Sequence, residues 1–189
     1  METVTLAKDE ADLAFEDEAA LVKAARCDPA AFTALYRRYV TPVYRYLYKW
    51  VGGPAEAEDL TSQVFTEVLE SLAHYQERGN FAAWLFTIAR RKAIAAYRRQ
   101  RPDLPLEKAE EIPGSNEDPL EHVVQGERQE RMAALFAVLN EDQRELLRLR
   151  FTAGLGYAEI SALLGRGEAA VKTAIYRLLH QMYNKWEEK

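Results

Sequence analysis

The sequence predicts an all-α protein: two small helical domains joined by a flexible acidic linker, with a helix-turn-helix at the C-terminal end. Three observations carry this. Apolar residues recur at helical spacing over long stretches, and no alternating strand pattern stands out. The seven prolines gather at a few boundaries between those stretches, and only nine glycines are present. Charge is partitioned along the chain: Arg90 to Arg101 holds six Arg and Lys residues and no acid, whereas Glu107 to Glu130 holds eight acids against two Arg or Lys. The expected organisation is a loose tail over 1–16, a first domain over 17–101, a linker over 102–126 and a second domain over 127–189.

Asp17 can cap a first helix reaching Cys27, with Leu21, Val22 and Ala25 at core-facing spacing. Asp28-Pro29 restarts the chain, because aspartate caps and proline fits a first helical turn. The second helix runs from about Pro29 to Val51 with Phe32, Leu35, Tyr36, Tyr39, Val43, Tyr46, Leu47 and Trp50 as its apolar side, and Pro42 should bend it. Gly52-Gly53-Pro54 ends that helix and opens a third. Ala57, Leu60, Val64, Val68 and Leu72 make its stripe, while Glu56, Glu58, Asp59, Glu67 and Glu70 leave a negative surface opposite. Acids in the first turn also suit the positive end of the helix dipole, which explains some of them without any partner.

Asn80 can cap a fourth helix reaching about Gln100, with Phe81, Trp84, Leu85 and Ile88 on its core side. Arg90, Arg91, Arg98 and Arg101 project together away from that side, with Ile94 and Tyr97 among them. Such a surface either tracks phosphates and stacks bases or is a solvated arginine stripe. Pro102 stops the helix. Pro105, Pro113, Gly114, Ser115, Asn116 and Pro119 then mark the acidic linker.

Helical pattern resumes over Glu127 to Leu139, with Met132, Leu135, Phe136 and Leu139 apolar. Asn140-Glu-Asp-Gln143 has the capping-box form for a helix carrying Leu146, Leu147, Leu149 and Phe151. Gly154 and Gly156 lead into Tyr157 to Leu164, the turn Gly165-Arg-Gly167, and a last helix from Glu168, which is helix-turn-helix spacing. On that last helix Val171, Ile175, Leu178 and Met182 share one side. Thr173, Tyr176 and His180 fall opposite, flanked by Lys172 and Arg177. That second face either enters a DNA major groove or is the polar side of an ordinary helical hairpin.

With 189 residues, 48% of them hydrophobic, the chain can build real cores, and a formal charge of −5 argues against a general nucleic-acid coat protein. Cys27 is the only cysteine, which excludes an intrachain disulfide and a cysteine-based zinc cluster, and it reads as a buried, inert thiol. No signal segment and no apolar run of about 18 residues is visible, which predicts a cytoplasmic protein without membrane insertion. His74, His122 and His180 lie far apart, and no phosphate loop or nucleophile-base pair can be argued. No catalytic residue, metal or cofactor is expected.

Three stretches together carry a resemblance. Ala57-Glu-Asp-Leu-Thr-Ser-Gln-Val-Phe65 resembles a polymerase-binding segment in which an Asp-Leu pair precedes a Val-Phe pair. Phe81-Ala-Ala-Trp-Leu-Phe-Thr-Ile-Ala-Arg90 resembles a promoter-melting segment. Tyr157-Ala-Glu-Ile through Val171-Lys-Thr resembles a reader of an upstream promoter element. Over roughly residues 18 to 186 the chain is similar to bacterial RNA polymerase sigma factors of the extracytoplasmic-function class, which have only the second and fourth conserved sigma domains. Departures occur at Ser62-Gln63, where Gln-Glu is frequent, at Arg91 and Ala95, often Asn and Asp, and at Ala174, usually Arg. A promoter sequence therefore does not transfer.

The resemblance implies a transcription initiation factor that directs core RNA polymerase to promoter DNA in response to a stress or envelope signal, and that an anti-sigma factor holds inactive. It implies polymerase contact at Glu56, Glu58, Asp59, Leu60, Gln63 and Phe65, with Leu60 and Phe65 equally readable as core. It implies minus-ten element contact at Tyr75, Asn80, Trp84, Arg90, Arg91, Tyr97, Arg98 and Arg101, Trp84 reading also as buried support. Minus-thirty-five contact falls to Glu168, Lys172, Thr173, Tyr176 and Arg177. Thr61 and Ser62, beside the acids, are hydroxyls that phosphorylation could use. The competing reading is a polymerase-independent helix-turn-helix regulator, which requires dimerisation and half-site binding.

Overall fold

The computed structural model describes residues 18–76, 80–100, 132 and 134–187, and among them every regular element is helical. The predicted tail, the linker over 102–126 and Arg101 lie outside the described residues. A short helix α1 (18–24) turns back at residues 25–27. Asp28 then caps α2 (Pro29–Val51), its carboxylate accepting from the Ala30 amide at 2.8 Å, with Pro29 in the first turn. The helix passes through Pro42 and ends at Gly52, whose φ of 76° is the left-handed conformation that glycine adopts without strain. Helix α3 (Pro54–Ser71) runs into a single 3-10 turn, Leu72–His74. Asn80 accepts from the Ala83 amide at 3.2 Å at the start of α4 (Phe81–Gln100).

In the C-terminal part, a short helix α5 (134–137) precedes α6 (Glu141–Leu147). The predicted capping box is formed: Asn140 accepts from the Gln143 amide at 2.9 Å, and Gln143 accepts from the Asn140 amide at 3.0 Å. Helix α6 widens into a π turn over Arg148–Thr152, and α7 (Tyr157–Leu164) and α8 (Glu168–Glu187) follow.

Helices α2, α3 and α4 pack on one another through Leu35, Val43, Leu47, Leu60, Val64, Val68, Leu85 and Phe86. The Tyr46 ring meets Phe86 edge-on, with centroids 5.5 Å apart. Buried Ala89, Ala93 and Ala96 keep α4 narrow where it crosses its neighbours. Ile160, Val171 and Ile175 join α7 to α8, and Leu139, Leu147 and Leu178 form a smaller cluster with Met182 against it.

The two helical groups also touch each other. Leu146, Leu149, Ala153, Leu155 and Ile160 belong to the same apolar cluster as the core of α2–α4. Helix α7 lies on α4, and the π turn lies on α2. The glycine turn at 165–167 and the side chains of Arg91 and Arg98 nevertheless remain at the surface.

Three sequence expectations change. Cys27 is exposed rather than buried, because it lies in the reversal after α1 and not on a packed face. Tyr36 is 40% exposed: it sits one residue past buried Leu35 and lays its ring edge-on to Phe65 from outside, at 4.7 Å. Phe151 is 59% exposed, since the π turn inserts extra chain per turn and rotates it outward while Leu149 stays buried.

Candidate nucleic-acid interface

Along α4, positions 87, 90, 91, 94, 95 and 98 share the side turned away from the α2–α3 core, as the helical period dictates. Thr87, Arg90, Arg91, Ile94, Ala95 and Arg98 there line a groove of about 350 Å³, whose opposite wall is Leu163 of α7. The arginines differ in their ties. Arg91 and Lys92 both pair with Glu67 of α3, and the Lys92 ammonium, together with the Arg91 guanidinium, holds the Glu67 carboxyl below the usual carboxylate range. Arg90 donates through Nε to Glu145 Oε1 at 3.1 Å. Arg98 is exposed.

At the N-terminal end of the same helix an aromatic pocket of about 480 Å³ opens between α4 and the 3-10 turn. Tyr75 and Trp84 face each other with ring centroids 4.7 Å apart, and Phe81 lies 5.5 Å from Trp84. Ser71, His74, Gln76 and Asn80 supply polar edges, and Ala162 of α7 lies on the rim. Tyr75 and Phe81 are 8% and 3% exposed and back the half-buried Trp84, so an unstacked base in this cleft would meet mainly Trp84 and the polar edges.

Of the minus-ten residues named from sequence, the structure therefore brings Tyr75, Asn80 and Trp84 to one pocket and Arg90, Arg91 and Arg98 to the adjoining groove. Tyr97 is corrected. Its ring is 4% exposed and packs edge-on against Trp50 at 5.8 Å, because position 97 turns toward α2, so it cannot stack on a base.

In α3 a similar division appears. Glu58, Asp59 and Gln63 are exposed, with Gln63 donating to Asp59 at 2.7 Å, and Glu56 is half-buried. Leu60 and Phe65 are 2% and 6% exposed and belong to the core, which decides the alternative left open in the sequence. Thr61 is likewise buried, its hydroxyl donating to the Ala57 carbonyl at 2.6 Å, whereas Ser62 is exposed. Leu69, 57% exposed among these acids, was missed by sequence reasoning because it falls off the apolar stripe.

The helix-turn-helix has the geometry its glycines imply. Gly156 opens α7, its amide donating to Glu159 Oε2 at 2.5 Å, and burial pushes the Glu159 carboxyl up. Gly165 closes α7 at φ 64°. Val171, Ile175 and Leu178 turn inward, leaving Glu168, Lys172, Thr173, Tyr176 and Arg177 exposed on α8 as expected. Arg166 in the turn pairs with Asp142 of α6 at 2.7 Å, and Arg150 stacks on Tyr157 at 4.6 Å.

The chain thus carries an acidic helix, an arginine groove beside an aromatic pocket, and a helix-turn-helix closed by a glycine turn. Residues 35–102 match Sigma-70 region 2, and residues 129–182 match Sigma-70, region 4. The chain belongs to the sigma-70 family. The ECF RNA polymerase sigma factor BldN of Streptomyces coelicolor is 35% identical over 166 residues, covering 86% of this chain and 63% of BldN, so the chain spans less than two thirds of that relative. The ECF RNA polymerase sigma factor SigK of Mycobacterium tuberculosis is 25% identical over 173 residues, covering 88% of this chain and 91% of SigK. The structure of CnrH in complex with the cytosolic domain of CnrY shares the fold, with a TM-score of 0.63 at 20% identity over 90% of this chain and 97% of that one. Within that family, the chain is most like sigma factors of the extracytoplasmic-function class, to which both BldN and SigK belong. Region 2 beside region 4 disfavours a polymerase-independent regulator. No helix among the described residues is long and apolar enough to cross a membrane.

Proposed function

We propose that this sigma factor binds core RNA polymerase through the outward face of α3, using Glu56, Glu58, Asp59 and Gln63, and carries promoter specificity on two other surfaces. The α4 groove and its aromatic pocket take the opened strand of the minus-ten element. There Arg90, Arg91 and Arg98 hold phosphates while Trp84, backed by Tyr75, receives a flipped base. Extruding a base costs a few kcal/mol, which a preformed stacking pocket offsets. Helix α8 reads the minus-thirty-five element through Lys172, Thr173, Tyr176 and Arg177, with Glu168 at the helix start positioned to accept from cytosine. It has few cations, so duplex binding by the free chain is weak and polymerase raises it by tethering both surfaces.

The observation that carries this reading is the continuity of pocket and groove along one side of α4, with Glu58 and Asp59 of α3 exposed outside both. The protein acts in the cytoplasm, without turnover chemistry of its own, in response to a stress or envelope signal. Its inhibitory partner is an anti-sigma factor, by analogy with CnrH, which was solved with the cytosolic domain of CnrY. Reconstitution with core polymerase tests the assignment. Arg98→Ala should impair promoter opening and leave polymerase binding intact, whereas Asp59→Lys should impair polymerase binding itself. Equal loss of both functions in Arg98→Ala overturns the α4 assignment.

A further inference from the structure

Glu145 is a buried carboxylate, 4% exposed, at the seam between the two helical groups. Its Oε1 accepts from the Tyr46 hydroxyl at 2.8 Å and from Arg90 Nε at 3.1 Å, and its Oε2 accepts from Arg148 Nε at 3.2 Å. Arg148 in turn lays its guanidinium on the Trp50 ring, 4.2 Å from the centroid. Tyr46, Trp50 and Arg90 come from α2 and α4, whereas Glu145 and Arg148 come from the C-terminal helices. A carboxylate removed from water is tolerable only while such partners remain in place, so this set holds the two groups together as a unit.

We propose that Glu145 is a latch that keeps the free chain closed, occupying Arg90 as a promoter phosphate would and laying α7 over the strand-binding side of α4. This rests on the assignment of the minus-ten strand to α4. A carboxylate and a phosphate present the same charged oxygens to a guanidinium, so Glu145, by taking the Arg90 Nε–H and offsetting its charge, weakens what Arg90 offers a strand. The closure reaches beyond Arg90. Leu163 walls the arginine groove and Ala162 lies on the rim of the aromatic pocket, so a strand laid along α4 meets α7 at both places. Masking is one-sided: Lys172, Thr173, Tyr176 and Arg177 on α8 remain exposed, as do Glu58 and Asp59 on α3. The closed chain therefore still offers its polymerase face and its duplex-reading face while withholding the strand site. Apparent strand affinity is the intrinsic value scaled by the open fraction, so a ten-to-one excess of the closed form weakens it about tenfold.

The test uses the full chain without polymerase. A fluorescent single-stranded 20-mer of mixed sequence reports strand affinity by anisotropy, and small-angle X-ray scattering reports the radius of gyration. Glu145→Ala lies outside the strand site and removes the shared acceptor. It should enlarge the radius of gyration and tighten oligonucleotide binding roughly tenfold. Glu145→Gln keeps the shape without the charge, guards against a folding defect and should move both readouts the same way by less. Circular dichroism of both variants should retain the parent helicity. Unchanged dimensions and affinity in both folded variants overturn the latch. Opening without tighter binding overturns the masking. If Arg98→Ala added to Glu145→Ala then also leaves binding unchanged, the failure belongs to the strand assignment of α4 rather than to the closure.

Discussion

Arg98→Ala isolates one of the phosphate contacts proposed for α4. The residue is exposed and no ion pair among the described residues uses it, so its loss should leave stability within about 0.5 kcal/mol of the parent. Each lost phosphate contact on a single strand lowers the slope of log affinity against log salt by about 0.7. Between 50 and 200 mM salt that amounts to a factor of about 2.6, so the variant should lose affinity mainly at low salt and approach the parent at high salt. Anisotropy titrations of holoenzyme on a forked promoter fragment, at four salt concentrations, measure that slope directly. Polymerase contributes its own large slope to parent and variant alike, and the difference isolates the one residue. A slope unchanged by Arg98→Ala refutes the claim that this side chain meets the strand.

Other outcomes follow from the same geometry. Leu60→Ala should destabilise the fold by about 2–5 kcal/mol, read by urea denaturation, because the side chain is core, whereas Glu58→Lys should weaken polymerase co-elution with little change in melting temperature. Lys172→Ala and Tyr176→Ala should weaken binding of holoenzyme to duplex carrying the minus-thirty-five element while leaving thermal melting of the free chain unchanged, since both residues are exposed. The Glu67 carboxyl is held low by Lys92 and Arg91, so its contribution is present above its unfolded value near 4.3 and is lost as pH falls through the lowered one. Glu67→Gln should abolish that acid-side loss and cost no more than about 1 kcal/mol at pH 7 in denaturant titrations, because the pair is partly exposed.

Much of the fold was legible because its signals are local. The Asp28 and Asn140 caps, the Gly52 and Gly165 terminators and the inward side of α8 each depend on a few neighbouring residues, and each is formed as the sequence implies. Tyr97 failed for a related reason: Arg98 and Arg99 directly after it made its surroundings look polar, but one position of helical rotation turns it under Trp50. Phe151 failed because no local pattern announces a π turn. Glu145 was illegible altogether. It reads as one more acid in an amphipathic helix, and its role exists only because Tyr46 and Arg90, 99 and 55 residues away, arrive beside it.

Run-off transcription with purified core polymerase over a promoter library is the most direct measurement of the central claim. Addition of this chain should yield transcripts starting at a fixed distance downstream of two short shared elements, and Asp59→Lys should remove them. Core polymerase that gains no new start sites, beside a chain that binds duplex DNA tightly as a dimer by itself, would contradict the account.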